Sequence, residues 1–219
     1  MITICTHNSF SSLNRLLESI YKFSKNAHKI HVVETSNINS SQAILEKYDC
    51  LYTHTNNKYE VGAYNETLLQ YPDEQEYYMF QDSLEIICSD WENYFKAPIQ
   101  HNIKEDCFIS FWKFDINDFY AHEHHHEALK MYNKFLKRDI KYKYGTSSQV
   151  FYMTNNCAKK IYLDSQKFII NSKLEACGME RIWTNLAYDH GYIPKFSVDY
   201  LHPETGYKDI ITKHYLLRE

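Results

Sequence analysis

The sequence lacks the cysteine spacing of a zinc site or of a disulfide framework. Its six cysteines are scattered along the chain, and no two of them form a C-x-x-C pair. Several lie within apolar runs, where a cysteine behaves as a small buried hydrophobic residue. We therefore expect reduced, buried thiols rather than disulfides or a structural metal centre.

Long hydrophobic runs and an excess of positive charge are also missing. No apolar run approaches the roughly 20 residues of a membrane-spanning helix, and the first expected strand begins too early to leave room for a signal peptide. The formal net charge is −4, which gives no general electrostatic attraction to nucleic acid. We therefore expect a soluble cytoplasmic protein, with residues 1–219 forming one domain that does not bind nucleic acid.

What the sequence does contain is a repeated strand signal in its first 90 residues. Four short apolar runs each end in a polar corner, at residues 1–8, 29–37, 50–55 and 77–86. Segments with helical periodicity separate them, around residues 13–20, 42–48 and 60–71. Strands that alternate with helices predict an α/β protein with a doubly wound, mostly parallel sheet of the Rossmann type, flanked by helices.

The second half continues this pattern less regularly. It predicts strands at 106–114, 149–153 and 192–198, and a helix from Asn155 or Asn156 through Leu163. Another helix is indicated by an apolar stripe, and Gly191 stands at a suitable position to end it. The stripe consists of Met179, Ile182, Trp183, Leu186 and Ala187.

Residues 115–148 form a different stretch. Four histidines, at positions 122, 124, 125 and 126, lie close together in it, but adjacent side chains of a helix or strand rarely face one centre. The basic amphipathic segment that follows suits contact with an anionic acceptor or a membrane surface. We expect a partly solvated flap or insert here rather than a metal site.

Polar residues follow each of the first four expected strands. In an open α/β sheet, ligands bind in the crevice beyond the carboxyl ends of the strands. The polar residues at these ends include Thr6, Asn8, Glu34, Ser36, Asn57, Gln81, Asp82 and Ser83. A carboxylate such as Asp82 at this place suits a hard divalent cation that bridges two phosphates, although Asp is also a common turn residue.

The order and spacing of these corners resemble the nucleotide-binding half of the GT-A glycosyltransferases, most closely the family 2-like group. The Thr6-His7-Asn8 corner is similar to that family's Thr-x-Asn-like corner, and residues 34–37 stand where it has the polar cluster that holds the base. Asn57, Gly62 and Asn65 resemble the Asn and Gly beneath the nucleotide. The resemblance covers residues 2–86 well and the rest loosely.

The chain departs from this family at its metal motif. The family's fourth strand ends in Asp-x-Asp, whereas Gln81-Asp82-Ser83 leaves a single carboxylate. A cation, Mn²⁺ or Mg²⁺, would then need a further ligand, for which the resemblance suggests His202 or His214, and imidazole suits Mn²⁺ better than Mg²⁺. The alternative is stabilisation of the diphosphate without a metal, by Lys, Arg or backbone amides.

The resemblance also implies an acidic residue that removes the acceptor's proton. Glu180 corresponds to it, because Gly178 would open a helix and leave Glu180 in the first turn; Glu175 is a second choice. A Glu in a first turn can equally serve only to complement the helix dipole.

These features and the resemblance together predict an inverting glycosyltransferase. It would move a sugar from a nucleotide-diphosphate donor, bound by residues 1–90, to a hydroxyl of a glycan or lipid-linked acceptor, bound by residues 91–219, with peripheral membrane contact possible. One alternative is a non-catalytic sugar-nucleotide- or glycan-binding module with a degenerate metal site. Another is a nucleotidyltransferase, which usually grips a triphosphate with a Gly- and basic-rich loop, whereas residues 6–14 contain no Gly and no Lys.

Overall fold

The computed structural model describes residues 1–36, 45–56, 59–99, 106–116, 122–199 and 210–213. Its strands are β1 (Ile2–Thr6), β2 (Ile30–Glu34), β3 (Cys50–His54), β4 (Glu76–Gln81), β5 (Leu84–Ile86), β6 (Phe108–Ser110), β7 (Phe114–Asp115), β8 (Tyr144–Gly145), β9 (Val150–Thr154), β10 (Lys195–Phe196) and β11 (Ile211–Lys213). Its helices are α1 (Phe10–Phe23), α2 (Tyr59–Gln70), α3 (Trp91–Lys96), α4 (His122–Leu136), α5 (Asn155–Ser165) and α6 (Lys173–Asp189). None of these helices is both long enough and apolar enough to cross a bilayer.

Seven of the strands form one sheet in the order β10-β6-β9-β4-β1-β2-β3. The pairs β1–β2, β1–β4, β2–β3 and β6–β10 are parallel, and β9 runs antiparallel to both β4 and β6. The predicted doubly wound, mostly parallel sheet is therefore confirmed. The register sets Thr6 opposite Glu34 and Cys5 opposite Gln81, so β1, β2 and β4 end at the same level.

Apolar side chains cover both faces of the sheet. Ile2 and Ile4 of β1 pack in the cluster that contains α1, whereas Cys5 packs in the cluster with α2 and α6. This alternation is the two-residue period of a strand covered by helices on both faces. Helix α1 buries all four of its expected apolar positions, residues 13, 16, 17 and 20, and each such side chain stabilises the fold by about 1.5–3 kcal/mol.

The strands of the second half are shorter than expected. The predicted strand at 106–114 is instead two strands, β6 and β7, because the chain turns after Ser110, whose hydroxyl donates to the carbonyl of Trp112. The predicted strand at 192–198 is reduced to β10, which directly follows Pro194, a residue with no N–H to donate to a sheet. Of the helix expected at 42–48, residues 42–44 lie outside the described residues; Leu45 is helical, and residues 46–49 form a turn before β3.

One face of helix α4 packs into the core, while the other face, which includes Lys130 and Lys134, is exposed. Its Ala128, Met131 and Tyr132 are buried, and they lie against α6. A Cβ atom on Gly178 of α6 would stand 2.7 Å from the methyl carbon of Met131 and 3.3 Å from the backbone nitrogen of Ala128. The glycine therefore permits the close approach of the two helices.

A candidate active site at the carboxyl edge of the sheet

Asp82 connects the ends of β1 and β4. Its Oδ2 accepts a hydrogen bond from Thr6 Oγ1 at 2.7 Å and a longer one from the backbone nitrogen of His7 at 3.4 Å. Its own backbone nitrogen donates to the carbonyl of Cys5. Thr6 is 1% exposed and Asp82 is 3% exposed, so this connection is shielded from bulk water.

Glu34 makes the equivalent connection at the end of β2. Its Oε1 accepts hydrogen bonds from the backbone nitrogens of Asn8 at 3.2 Å and Ser36 at 2.9 Å. Asn8 takes a left-handed conformation with φ 52°, which Asn tolerates better than most residues. The structure thus brings together Thr6, Asn8, Glu34, Ser36 and Asp82, while their roles in binding a donor stay predictions.

The carboxyl group of Asp82 titrates close to neutral pH. Burial raises its pKa from 3.8 to about 7, against the hydrogen bonds from Thr6 and His7, and the charges of Glu60 and Glu34 raise it further. Removal from water disfavours the charged form of a carboxyl group. Perturbed carboxyl groups of this kind are concentrated at functional sites.

Glu60 is a site residue that the sequence analysis missed. It lies in the first turn of α2, is 7% exposed, and accepts a hydrogen bond at Oε1 from Gln81 Nε2 at 2.8 Å. Ser83 Oγ donates to Gln81 Oε1 at 3.0 Å, which orients the amide toward Glu60. A Glu in a first helical turn is ordinary in a sequence, and only the tertiary contact with Gln81 distinguishes this one.

Helix α6 begins earlier than predicted. Ser172 caps it, accepting a hydrogen bond from the backbone nitrogen of Glu175, whose side chain in turn accepts one from the backbone nitrogen of Ser172. This reciprocal capping box fixes the helix start. The prediction that Gly178 opens the helix is therefore wrong, and Glu180 lies in the middle of α6.

Glu180 contacts Thr146, outside α6, and the neighbouring Arg181 of the same helix. Its backbone carbonyl accepts a hydrogen bond from the nitrogen of Thr146 at 2.8 Å, and its Oε2 lies 3.4 Å from Nη1 of the buried Arg181. The guanidinium of Arg181 stacks on the ring of Phe114, 4.6 Å from its centre. The carboxyl group of Glu180 remains partly exposed, which a proton acceptor for a substrate requires.

Glu60 is close both to Gln81 and to Cys177 of α6. It contacts Gln81, the neighbour of Asp82, and its charge acts on the thiol of Cys177, one helical turn before Glu180. Burial is the largest cause that raises the pKa of Cys177, and the charges of Glu180 and Glu60 raise it further. Residues three apart on a helix share a face, so Cys177 and Glu180 face the same side of α6.

Other predicted site residues lie elsewhere. The side-chain nitrogen of Asn65 donates to the carbonyl of Ser165 at 3.2 Å, and Gly62 and Asn65 line a hollow of ≈ 360 Å³ between α2 and the residues around the end of α5. The structure does not bring these two residues to Asp82. Asn57, His202 and His214 lie outside the described residues.

The described residues fit a divalent cation only in part. Among them, no group of three or more His, Cys, Asp or Glu side chains is arranged to hold a metal ion. Both hydrogen bonds from described residues to the Asp82 carboxylate go to Oδ2, which leaves Oδ1 for a ligand. This arrangement fits a cation bound chiefly through the phosphates of a ligand, with one protein carboxylate, as is common for Mg²⁺.

Comparisons with known proteins relate this chain to others by its fold. The sequence matches no family model, and no curated protein matches it. A mannosyltransferase from Pyrobaculum calidifontis, in complex with GDP-Man and Mn²⁺, is similar with a TM-score of 0.56 and 11% sequence identity, over 89% of this chain and 53% of that one. The glucosyl-3-phosphoglycerate synthase of Mycobacterium tuberculosis, in complex with Mn²⁺, UDP and glucosyl-3-phosphoglycerate, is similar with a TM-score of 0.54 and 7% identity, over 89% and 67% of the two chains.

These similarities confirm the fold that the sequence resemblance implied. Both structures are of GT-A-type glycosyltransferases, and this chain has a GT-A-like fold. It spans about half the length of the first protein and about two thirds of the second. At such low sequence identity the similarity establishes the fold and not the activity.

Proposed function

We propose that this protein is a glycosyltransferase that moves a sugar from a nucleotide-diphosphate donor to a hydroxyl acceptor. The observation that carries the proposal is the meeting of Thr6, Glu34 and Asp82 at the carboxyl edge of a GT-A-like sheet. The crevice beyond this edge is where open α/β sheets bind nucleotides. Two proteins of similar fold, both bound to Mn²⁺ and one to GDP-Man, the other to UDP, support the same class of ligand here.

The donor would lie across the ends of β1, β2 and β4. Glu34 and Ser36 hold the base and ribose, Thr6 and Asn8 form the floor beneath them, and Asp82 faces the diphosphate. The carboxylates at this edge would repel a diphosphate. Asp82 would hold a divalent cation, which would supply positive charge that stabilises the leaving nucleotide.

Glu180 would act as the general base. As the acceptor hydroxyl attacks the anomeric carbon, its proton passes to the Glu180 carboxylate, and the bond from that carbon to the diphosphate oxygen breaks. A positioned base of this kind typically contributes 10²–10⁴-fold to the rate. Because the base would stand opposite the leaving group, the anomeric configuration inverts. The acceptor, a glycan or a lipid-linked hydroxyl, would be bound by residues 91–219.

The single carboxylate at Asp82 also supports a second candidate, a module that binds sugar nucleotides without transferring them. Thermal shift with UDP or GDP, each with and without Mn²⁺, tests binding, since a ligand of the folded state raises its melting temperature. Hydrolysis of UDP-glucose and GDP-mannose with Mn²⁺ tests catalysis. We expect both a thermal shift with nucleotide and hydrolysis of a donor. Binding with no turnover would indicate the module, and the absence of both would refute the proposal.

A further inference from the structure

Glu60 is a buried carboxylate that the proposed mechanism does not use. Among the residues that the structure describes, the partner that positions it is the neutral amide of Gln81. A buried carboxylate without a cationic partner is costly to the fold. Its neighbours Asp82 and Glu34 carry the same charge, so the protein places a third carboxylate at this edge despite mutual repulsion.

Under the proposed function, Glu60 would lie near the transferred sugar. Under the proposed function, Asp82 marks the leaving diphosphate and Glu180 marks the acceptor hydroxyl, so the sugar ring must lie between them. Glu60 is tied to Gln81 beside Asp82. Its helix α2 also contacts α6, the helix that carries Glu180.

Gln81 stands where the GT-A glycosyltransferases have the first carboxylate of their Asp-x-Asp motif, and a neutral residue suits the contact with Glu60. An Asp at position 81 would set a negative charge against Glu60, whereas Gln81 donates to Glu60 and accepts from Ser83. The amide is thus oriented at both ends and holds the Glu60 carboxylate in one position. A binding role for Glu60 would explain both why residue 81 is a Gln rather than an Asp and why the Glu60 carboxylate is buried.

We propose that Glu60 accepts hydrogen bonds from hydroxyl groups of the transferred sugar and restricts the donor to neutral sugars; this inference rests on the proposed function. Hydrogen bonds to a carboxylate are stronger than those to a neutral acceptor. A sugar that carries its own carboxylate, such as a uronic acid, would bring two negative charges together in a water-poor site. The arrangement therefore discriminates by repulsion as well as by attraction.

The test compares donors that share a nucleotide and differ in sugar charge. UDP-glucose is compared with UDP-glucuronic acid, and GDP-mannose with GDP-mannuronic acid, for the wild type and for Glu60→Gln. We expect the wild type to prefer the neutral sugar by about 100-fold in kcat/KM, and Glu60→Gln to reduce that preference at least about tenfold, the range of a lost charged hydrogen bond. Binding of UDP or GDP alone should not change. Glu66→Gln, a change of the same type on the same helix, is the matched control.

Measuring the Kd of each donor instead of kcat/KM tests the role of Glu60 even if the protein binds donors without transferring them. Should Glu60→Gln not fold, Glu60→Asp keeps the charge on a shorter side chain and should lose affinity for neutral donors while still excluding uronic ones. Equal use of neutral and uronic donors by the wild type, or an unchanged ranking in the variant, would overturn the role of Glu60 and leave glycosyl transfer standing. If neither donors nor nucleotides bind, the proposed function itself fails.

Discussion

At the amino end of the sheet, Glu74 and Glu76 lie beside lysines, whereas at the carboxyl end Glu60 and Asp82 accept hydrogen bonds from neutral groups. Around a hollow of ≈ 850 Å³ at the amino end, two ion pairs are formed, Lys29–Glu74 at 2.8 Å and Lys96–Glu76 at 2.7 Å, and His28 Nε2 lies within hydrogen-bond distance of Glu92 Oε1, at 3.0 Å. At the carboxyl end, Glu34 accepts from two backbone nitrogens, Glu60 from an amide and Asp82 from a hydroxyl.

This difference indicates which end of the sheet binds a ligand. At the amino end, Lys29 and Lys96 each pair with a carboxylate of the protein, which weakens the attraction of their charges for a ligand. At the carboxyl end, the hydrogen bonds that Asp82 and Glu60 accept from described residues come from neutral groups, which position these two carboxylates. A bound cation or a sugar would complement them, so the chemistry of the lining is a better guide here than the size of the hollow.

Replacement of Asp82 tests the carboxyl end most severely. In Asp82→Ala, the one carboxylate of the Gln81-Asp82-Ser83 corner is lost, and with it the proposed contact to the cation and diphosphate. We expect kcat/KM for donor hydrolysis to fall at least about 10³-fold, as when a group that stabilises developing charge is removed. The Mn²⁺-dependent part of the thermal shift with nucleotide should disappear. Activity within tenfold of the wild type would exclude this role.

Replacement of Glu180 separates chemistry from binding. We expect Glu180→Gln to lower kcat by roughly 10²-fold or more, because the amide cannot accept the acceptor's proton, and to leave the nucleotide affinity unchanged. Glu175→Gln, five residues earlier in α6, is the matched control, because Gln also serves at this capping-box position. If Glu175→Gln lost the activity instead, the base would be reassigned to Glu175.

The sequence was sufficient to predict one part of this site and not the other. Strands β1, β2 and β4 each have a local signal, and parallel topology then brings their polar ends to one edge, so Thr6, Glu34 and Asp82 could be grouped correctly. Glu60 depends on a contact between the ends of α2 and β4, which no local pattern encodes. The start of α6 is encoded in the Ser172-x-x-Glu175 capping box, whereas Gly178, from which the helix was predicted to begin, lies inside it.

The burial of Asp82 predicts a dependence of stability on pH. Its pKa is raised to about 7 in the folded protein, so between pH 4 and 7 the folded state retains a proton that the unfolded chain releases, and the free energy of unfolding falls as pH rises through this range. The non-titrating variant Asp82→Asn should therefore gain roughly 2–3 kcal/mol relative to the wild type between pH 5 and pH 8. Urea unfolding at both pH values, without metal, measures this difference. An equal difference at the two pH values would show that the carboxyl group is not buried as described.

A substitution at the amino end of the sheet should have the smallest effect on stability and on activity. Lys29 is 49% exposed, pairs with Glu74 and lies 4.7 Å from the ring centre of Tyr71. Exposed pairs of this kind contribute at most about 1 kcal/mol, because water screens the charges and already solvates the ammonium group. We expect Lys29→Met to lower the free energy of unfolding by no more than about this amount and to leave kcat/KM unchanged. A tenfold loss of turnover with normal stability would show that the larger hollow takes part in the reaction, and the contrast between the two ends would then no longer indicate where the ligand binds.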